Sequence, residues 1–149
     1  MRIINLSYVS IKEFEDPESW LKRINYFTGI LEEMAKVHTV INFHSIQFKG
    51  VVVKNGVEYH FQPLSLFQRW APFSFHSFIR GLKPDVIIVH GLLFPWQVLL
   101  LQQKLDRRIR LFIQHHAERP LQGFWKLLQR KADSRIDGYF FSSRELGLE

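Results

Sequence analysis

The chain of 149 residues contains no cysteine, so disulfides and thiolate metal sites are excluded. It also lacks a long apolar run. The longest, Leu92 to Leu101, is interrupted by Pro95 and Gln97 and falls far short of the ~20 residues that cross a bilayer. Met1-Arg2-Ile3-Ile4-Asn5-Leu6 is too short an apolar stretch for a signal peptide, and no cleavage site follows. The expectation is a soluble protein, peripheral to a membrane at most. Low-complexity and disordered classes are excluded by composition: 46% of residues are hydrophobic and 23% charged, the balance of a folded domain. At this length one domain buries most of its apolar surface unaided, and no linker or internal repeat divides it.

Two phosphate-binding signatures are missing. The loop after the first predicted strand, Ser7 to Asp16, has no glycine, whereas a dinucleotide fingerprint needs glycines there to bring backbone against a pyrophosphate. A Gly-Lys-Ser/Thr phosphate loop occurs nowhere. What the chain has in excess is aromatic residues, 15%, and positive charge, +6. The charge is concentrated: Lys104 to Asp137 holds nine Lys/Arg against four Asp/Glu, a local +5. Such a field favours anionic partners, or else marks a solvated helical face. No nucleic-acid reader motif accompanies it, and none is expected to bind.

Along the chain, Arg2 to Val9 predicts a buried strand. Asp16-Pro17-Glu18 opens a helix, with Asp16 as cap and Pro17 at the first helical position. Trp20, Leu21, Ile24, Phe27, Ile30, Leu31 and Met34 extend it at helical spacing. His38 to Phe43 is a second strand. Phe48 to Phe61 reads as a hairpin turning at Asn55-Gly56, the pair that suits a type I′ turn. Leu64 to Gly81 is helical, split at Pro72. Val86-Ile87-Ile88-Val89 is β-branched throughout, the mark of a central strand buried on both faces. A helix over Phe94 to Leu105, a strand over Ile109 to Gln114, a basic amphipathic helix over Gly123 to Ile136 and a last strand from Tyr139 to Ser142 follow. The alternation predicts an α/β fold: a Rossmann-like, doubly wound, mainly parallel sheet flanked by helices, with one β-hairpin.

Ligands of such sheets sit outside the carboxyl ends of the strands. The residues to weigh are therefore Ser7, Tyr8 and Ser10, then Asn42 to Ser45, His90 and Gly91, His115, His116 and Glu118, and Ser142 and Ser143. Three imidazoles and a carboxylate converge if the strands ending at His90 and Gln114 are neighbours. His and carboxylate can ligate zinc, but adjacent strand residues point to opposite faces, and no metal is expected. The other reading makes them donors to a phosphate or a sugar hydroxyl, with Arg119 adding charge. Phe67, Trp70, Phe73, Phe75 and Phe78 beside Arg69 and Arg80, and Phe124, Trp125, Leu127 and Leu128 beside Lys126, Arg130, Lys131 and Arg135, read as packing helices or as interfacial ones.

Lys83-Pro84-Asp85-Val86-Ile87-Ile88-Val89-His90-Gly91 resembles the "PDVIHVHG" strand of family-4-like glycosyltransferases of the GT-B fold. Arg110 to His116 resembles their next strand, which commonly ends in histidine, and Asp137 to Glu145 resembles a motif near the end of their N-terminal domain. The order of these motifs covers the chain from Met1 to its end. The resemblance implies a single acceptor-binding N-terminal half over residues 1–149, without the second domain that holds the nucleotide-sugar and carries a Glu-x7-Glu motif. It implies sugar transfer to a glycan or lipid-linked acceptor, with retention and no separate cofactor, by a cytoplasmic protein touching the anionic inner face of a membrane. His115 and His116 match the histidine beside the donor sugar, for positioning and charge stabilisation. Ser7, Tyr8, His90, Gly91, Glu118, Arg119, Ser142 and Ser143 would line the cleft. The family's Gly-Gly pair in the first loop is replaced here by Ser7 to Asp16, which argues for an acceptor role for that loop. The alternative class is a non-enzymatic α/β binding or interaction module.

Overall fold

A computed structural model describes residues 1–91, 93–115 and 119–141. The first strand, β1 (Arg2–Ser10), leads into α1 (Pro17–Arg23), whose start is set by Asp16. Its Oδ2 accepts from the Ser19 backbone N–H at 2.8 Å and from Ser19 Oγ at 2.7 Å, and Pro17 fills the position where a donor would be wasted. The single helix expected from Pro17 to Met34 is two. At Ile24 the backbone leaves helical geometry (φ −103°, ψ 22°), and α2 (Asn25–Ala35) begins at the next residue. Leu21, Ile24 and Leu31 from the two helices share one core.

β2 (Thr39–Ser45) follows, then the predicted hairpin, β3 (Gly50–Lys54) and β4 (Val57–Phe61). Asn55 and Gly56 have φ of 49° and 82°, and Lys54 pairs with Val57 across them, the geometry of a type I′ turn. Pro72 divides the next segment into α3 (Leu66–Trp70) and α4 (Phe73–Gly81), as its missing N–H requires. The rest alternates: β5 (Val86–His90), α5 (Pro95–Lys104), β6 (Arg110–His115), α6 (Phe124–Asp133) and β7 (Gly138–Phe141).

The strands form one seven-stranded sheet in the order β3-β4-β2-β1-β5-β6-β7. Among the described residues only β3–β4 is antiparallel. The parallel strands taken alone run in the doubly wound order 3-2-1-4-5-6, with the direction of winding reversing between β1 and β5. Four consecutive β-branched residues put β5 inside the sheet, between β1 and β6, as predicted.

The two faces are built differently. On one, Ile4, Leu6, Phe43, Val89 and Ile113 pack against Phe75 and Ile79 of α4, Val98 and Leu101 of α5 and Ala132 of α6. Tyr8 and His76 are wholly buried there, with Tyr8 Oη 2.8 Å from His76 Nε2. On the other face, Val40, Val57, Tyr59 and Phe61 pack against Leu21, Ile24 and Leu31. The second core lies over the β4–β2 half of the sheet, so the carboxyl-end quarter near β1, β5 and β6 is left to other residues.

The turn gives a direct check. Gly56 adopts a conformation that costs an L-residue roughly 1–2 kcal/mol, and a Cβ there would stand 3.4 Å from Ala35 Cβ. Gly56→Ala is expected to lower unfolding stability by about that amount in urea titrations, and Gly29→Ala, with nothing within 4 Å of its added Cβ, to raise it by roughly 0.5–1 kcal/mol through helix propensity.

A candidate ligand cleft at the strand ends

Strand alternation puts Asn5 and Ser7 of β1, Asn42 and His44 of β2, His90 of β5 and Gln114 of β6 on the same face of the sheet, the one that α1 and α2 cover. The pairings align them: Asn5 faces Asn42 across β1–β2 and Ile88 across β1–β5, and His90 faces Gln114. At the point where the winding reverses, the floor of the sheet is a polar row instead of an apolar one. It opens into a cleft of about 570 Å³. A second hollow of similar volume, about 550 Å³, lies between α1, α2 and the hairpin turn. It is more open and stands away from the strand ends, so the cleft at the winding reversal is the candidate site.

One wall comes from α1 and α2. Trp20, Ile24, Phe27 and Ile30 line the cleft with Leu93 and Phe94 from the segment after β5. The Trp20 ring meets His44 edge-on at 5.6 Å, and Phe27 meets His90 edge-on at 4.7 Å. These aromatics hold the two imidazoles in place. Among the described residues lining the cleft none carries Lys, Arg, Asp or Glu.

The hydrogen bonds of the floor are local. Asn42 Nδ2 donates to His44 Nε2 at 2.8 Å, so the neutral ring carries its proton on Nδ1. Burial lowers the His44 pKa to about 4, so this ring is uncharged at neutral pH. His90 Nε2 lies 3.4 Å from Asn5 Oδ1. Two buried donors beside this row, Asn5 Nδ2 and Trp20 Nε1, have no acceptor among the described residues. β1 changes register between Leu6 and Ser10, and such an irregularity re-aims side chains at a sheet end. Ser45 ties the rim together: its Oγ accepts from the Leu64 N–H at 3.0 Å and lies 3.4 Å from Ser10 Oγ.

Of the residues expected at the cleft, Ser7, His90 and Gly91 are there. Gly91 has φ of 85°, which favours glycine, and its N–H donates to Gln114 O at 2.9 Å. Tyr8 is a correction. It points to the opposite face, wholly buried against Phe75, His76 and Phe94, because it alternates with Ser7. His115 ends β6 one residue beyond Gln114, and its ring packs 5.6 Å from Phe141; Gln114 is the β6 side chain that lines the cleft. Arg119 is exposed. His116, Glu118, Ser142 and Ser143 lie outside the described residues.

Sequence reasoning missed the aromatic wall, since Trp20 and Phe27 read as ordinary core positions of one helix. It named Asn42 and His44 as strand-end residues without choosing them. Among the described residues no cluster of His, Asp and Glu could hold a metal ion. No protein-family model matches the chain, and no curated protein matches it in sequence.

Two imidazoles, His44 half-buried and His76 wholly buried, make stability depend on pH. His44 and His76 both have pKa values lowered to about 4, by burial and, for His76, also by Lys104. Unfolding returns them to about 6.5, so between those values the unfolded chain binds more protons. Stability is therefore full above about pH 6.5 and falls as the pH drops toward 4. Each histidine contributes up to about 1.4 kcal/mol per pH unit to that slope. Urea midpoints measured from pH 7 to pH 4 are expected to show the fall, and His44→Gln and His76→Gln each to flatten it.

Proposed function

We propose that the chain is the acceptor-side domain of a nucleotide-sugar-dependent glycosyltransferase of GT-B architecture, and that the cleft at the ends of β1, β2, β5 and β6 takes the sugar-bearing part of the acceptor. One observation carries the reading: the cleft is uncharged among its described lining residues, with an aromatic wall and a floor of amide, hydroxyl and imidazole groups. A pyranose has apolar C–H faces that suit Trp20 and Phe27, and a rim of hydroxyls that suit Asn42, His44, His90 and Gln114. Pockets of this kind bind through the apolar wall and take orientation from a few placed polar groups.

The same chemistry argues against a diphosphate in this cleft. A phosphate calls for Arg, Lys or a glycine-rich backbone nest, and the β1–α1 loop has no glycine. On this reading the nucleotide-sugar is held by a second domain, and transfer proceeds between the two. His90, at the β5 end, orients an acceptor hydroxyl through its ring nitrogen. His115, at the end of β6, stabilises charge on the departing phosphate, a role the resemblance also gives to His116. The acceptor is a glycan or a lipid-linked saccharide.

The test uses the purified chain. Neutral oligosaccharides are titrated while amide and indole NMR signals are followed. Shifts are expected at Trp20, Asn42, His44, His90 and Gln114, and His90→Ala and Trp20→Ala are each expected to weaken binding roughly tenfold. Nucleotide-sugars should leave those signals unchanged, and the chain alone should transfer no sugar. Absence of any saccharide response, or a nucleotide-sugar response at these residues in preference, overturns the assignment.

A further inference from the structure

The sheet edge farthest from β7 is β3, and among the described residues β3 pairs only with β4. The two-residue turn fixes which way its backbone points. Lys54 and Val57 close the hairpin as a hydrogen-bonded pair. By alternation Val52 and Gly50 also bond inward to β4, and the N–H and C=O groups of Val51 and Val53 point away from the sheet. Among the described residues no turn, loop or cap hydrogen bond uses them.

Edge strands are ordinarily blunted by proline, by a bulge, by charged side chains or by a covering element. β3 has no proline, keeps continuous register with β4 and carries charge only at its last residue, Lys54. Its valines are as open as its backbone: Val53 is 71% exposed and Val51 54%. Both lie on the α4 face of the sheet, since Val51 stands opposite His60, whose ring is 5.9 Å from that of Phe78. Phe78 is itself 47% exposed and extends the apolar strip past the strand. Val52, on the other face, packs on the second core.

The strand is complementary to itself. When two copies lie antiparallel with Val52 opposite Val52, Val51 of each faces Val53 of the other. The outward groups of both strands then meet and exchange both bonds at each such pair, and branched side chains pair well across strands. Lys54 stands opposite Gly50, so no two like charges face each other and the glycine leaves room for the lysine stem. A foreign strand would have to bring a small residue opposite Lys54 and branched ones opposite the valines; β3 already has both. We propose that β3 docks a second copy of this chain, joining the two sheets into one about a two-fold axis at Val52. The two halves run antiparallel, so their clefts open at opposite edges of the joint sheet and neither is covered. The inference stands whether or not the cleft binds saccharides. Two short edges and two Phe78 rings bury less than about 1,200 Å² in all, the size of a weak, transient pair.

Sedimentation velocity over concentrations spanning a dissociation constant of roughly 10–100 μM tests it. A monomer is expected to pass to a dimer. Val51→Lys with Val53→Lys should weaken association at least tenfold. Val53→Pro, which removes an outward N–H and no bond to β4, should do the same. Phe124→Ser with Leu127→Ser, exposed on α6, should leave it unchanged, and urea midpoints should show all variants folded. The chain has no cysteine, so Val52→Cys supplies a single thiol. On the axis, in a non-hydrogen-bonded pair, its Cα stands about 4.5 Å from its counterpart, within reach of a disulfide. Mild oxidation should therefore crosslink Val52→Cys at least tenfold faster than Val51→Cys. Four results overturn the proposal: a monomer at every concentration, association unaltered in either edge variant, association lost in the α6 variant, or Val51→Cys crosslinking as fast as Val52→Cys.

Discussion

Everything in this molecule is arranged around the two-sided pairing of β1. Its backbone bonds to β2 on one side and to β5 on the other, and the chain winds outward from it in both directions. One strand must therefore serve two cores. Ile4, Leu6 and Tyr8 enter the core beneath α4 and α5, while Asn5 and Ser7 face the α1–α2 side. A central strand buried on both faces is ordinarily apolar throughout. On its second side β1 sets Asn5 and Ser7 between Ile3 and Val9, and Asn5, 2% exposed, sits beside Asn42, 1% exposed, in the next strand. A buried amide donor such as Asn5 Nδ2, which has no acceptor among the described residues, costs on the order of 1–3 kcal/mol if unmet. A fold with leucine at that position would avoid the cost. The fold carries it at the reversal of strand order, where doubly wound sheets bind ligands.

The helices over this face serve both halves of it. Leu21 and Leu31 seal the apolar half of the sheet, while Trp20 and Phe27 lean against His44 and His90. The low-dielectric wall lowers the His44 pKa to about 4 and makes hydrogen bonds to the floor stronger than they would be in water. His76 shows the structural use of the same chemistry: a neutral buried ring whose role is to satisfy Tyr8 Oη. It has no connection to the cleft, which shows that a perturbed histidine alone does not locate a site.

Much of the fold was legible because it is written in short-range chemistry. Asn55-Gly56 can do little but turn, Pro72 must interrupt a helix, and Val86 to Val89 has no plausible exposed face. The break at Ile24 was not legible, since apolar spacing runs through it without a fault. Ser7, His90 and Gly91 of the candidate cleft were legible as strand-end residues, but one residue of register matters. Tyr8 and Ser7, or His115 and Gln114, are neighbours in sequence but opposite in a strand. Which of each pair meets a ligand depends on which face α1 and α2 take, and no local pattern states that. The meeting of Trp70 with Trp125 is a pure consequence of packing, since each segment on its own reads as an ordinary amphipathic helix.

The cleft and the end of α3 are joined through the segment after β5. His90 lies on the cleft floor and Leu93 on its wall, and Trp96, in the first turn of α5, bonds to the end of α3. Pro95 opens that helix without a capping side chain, and the bond from Trp96 ties its first turn to the end of α3. His90, Leu93 and Trp96 thus tie the cleft floor, the cleft wall and the end of α3 to one stretch of chain.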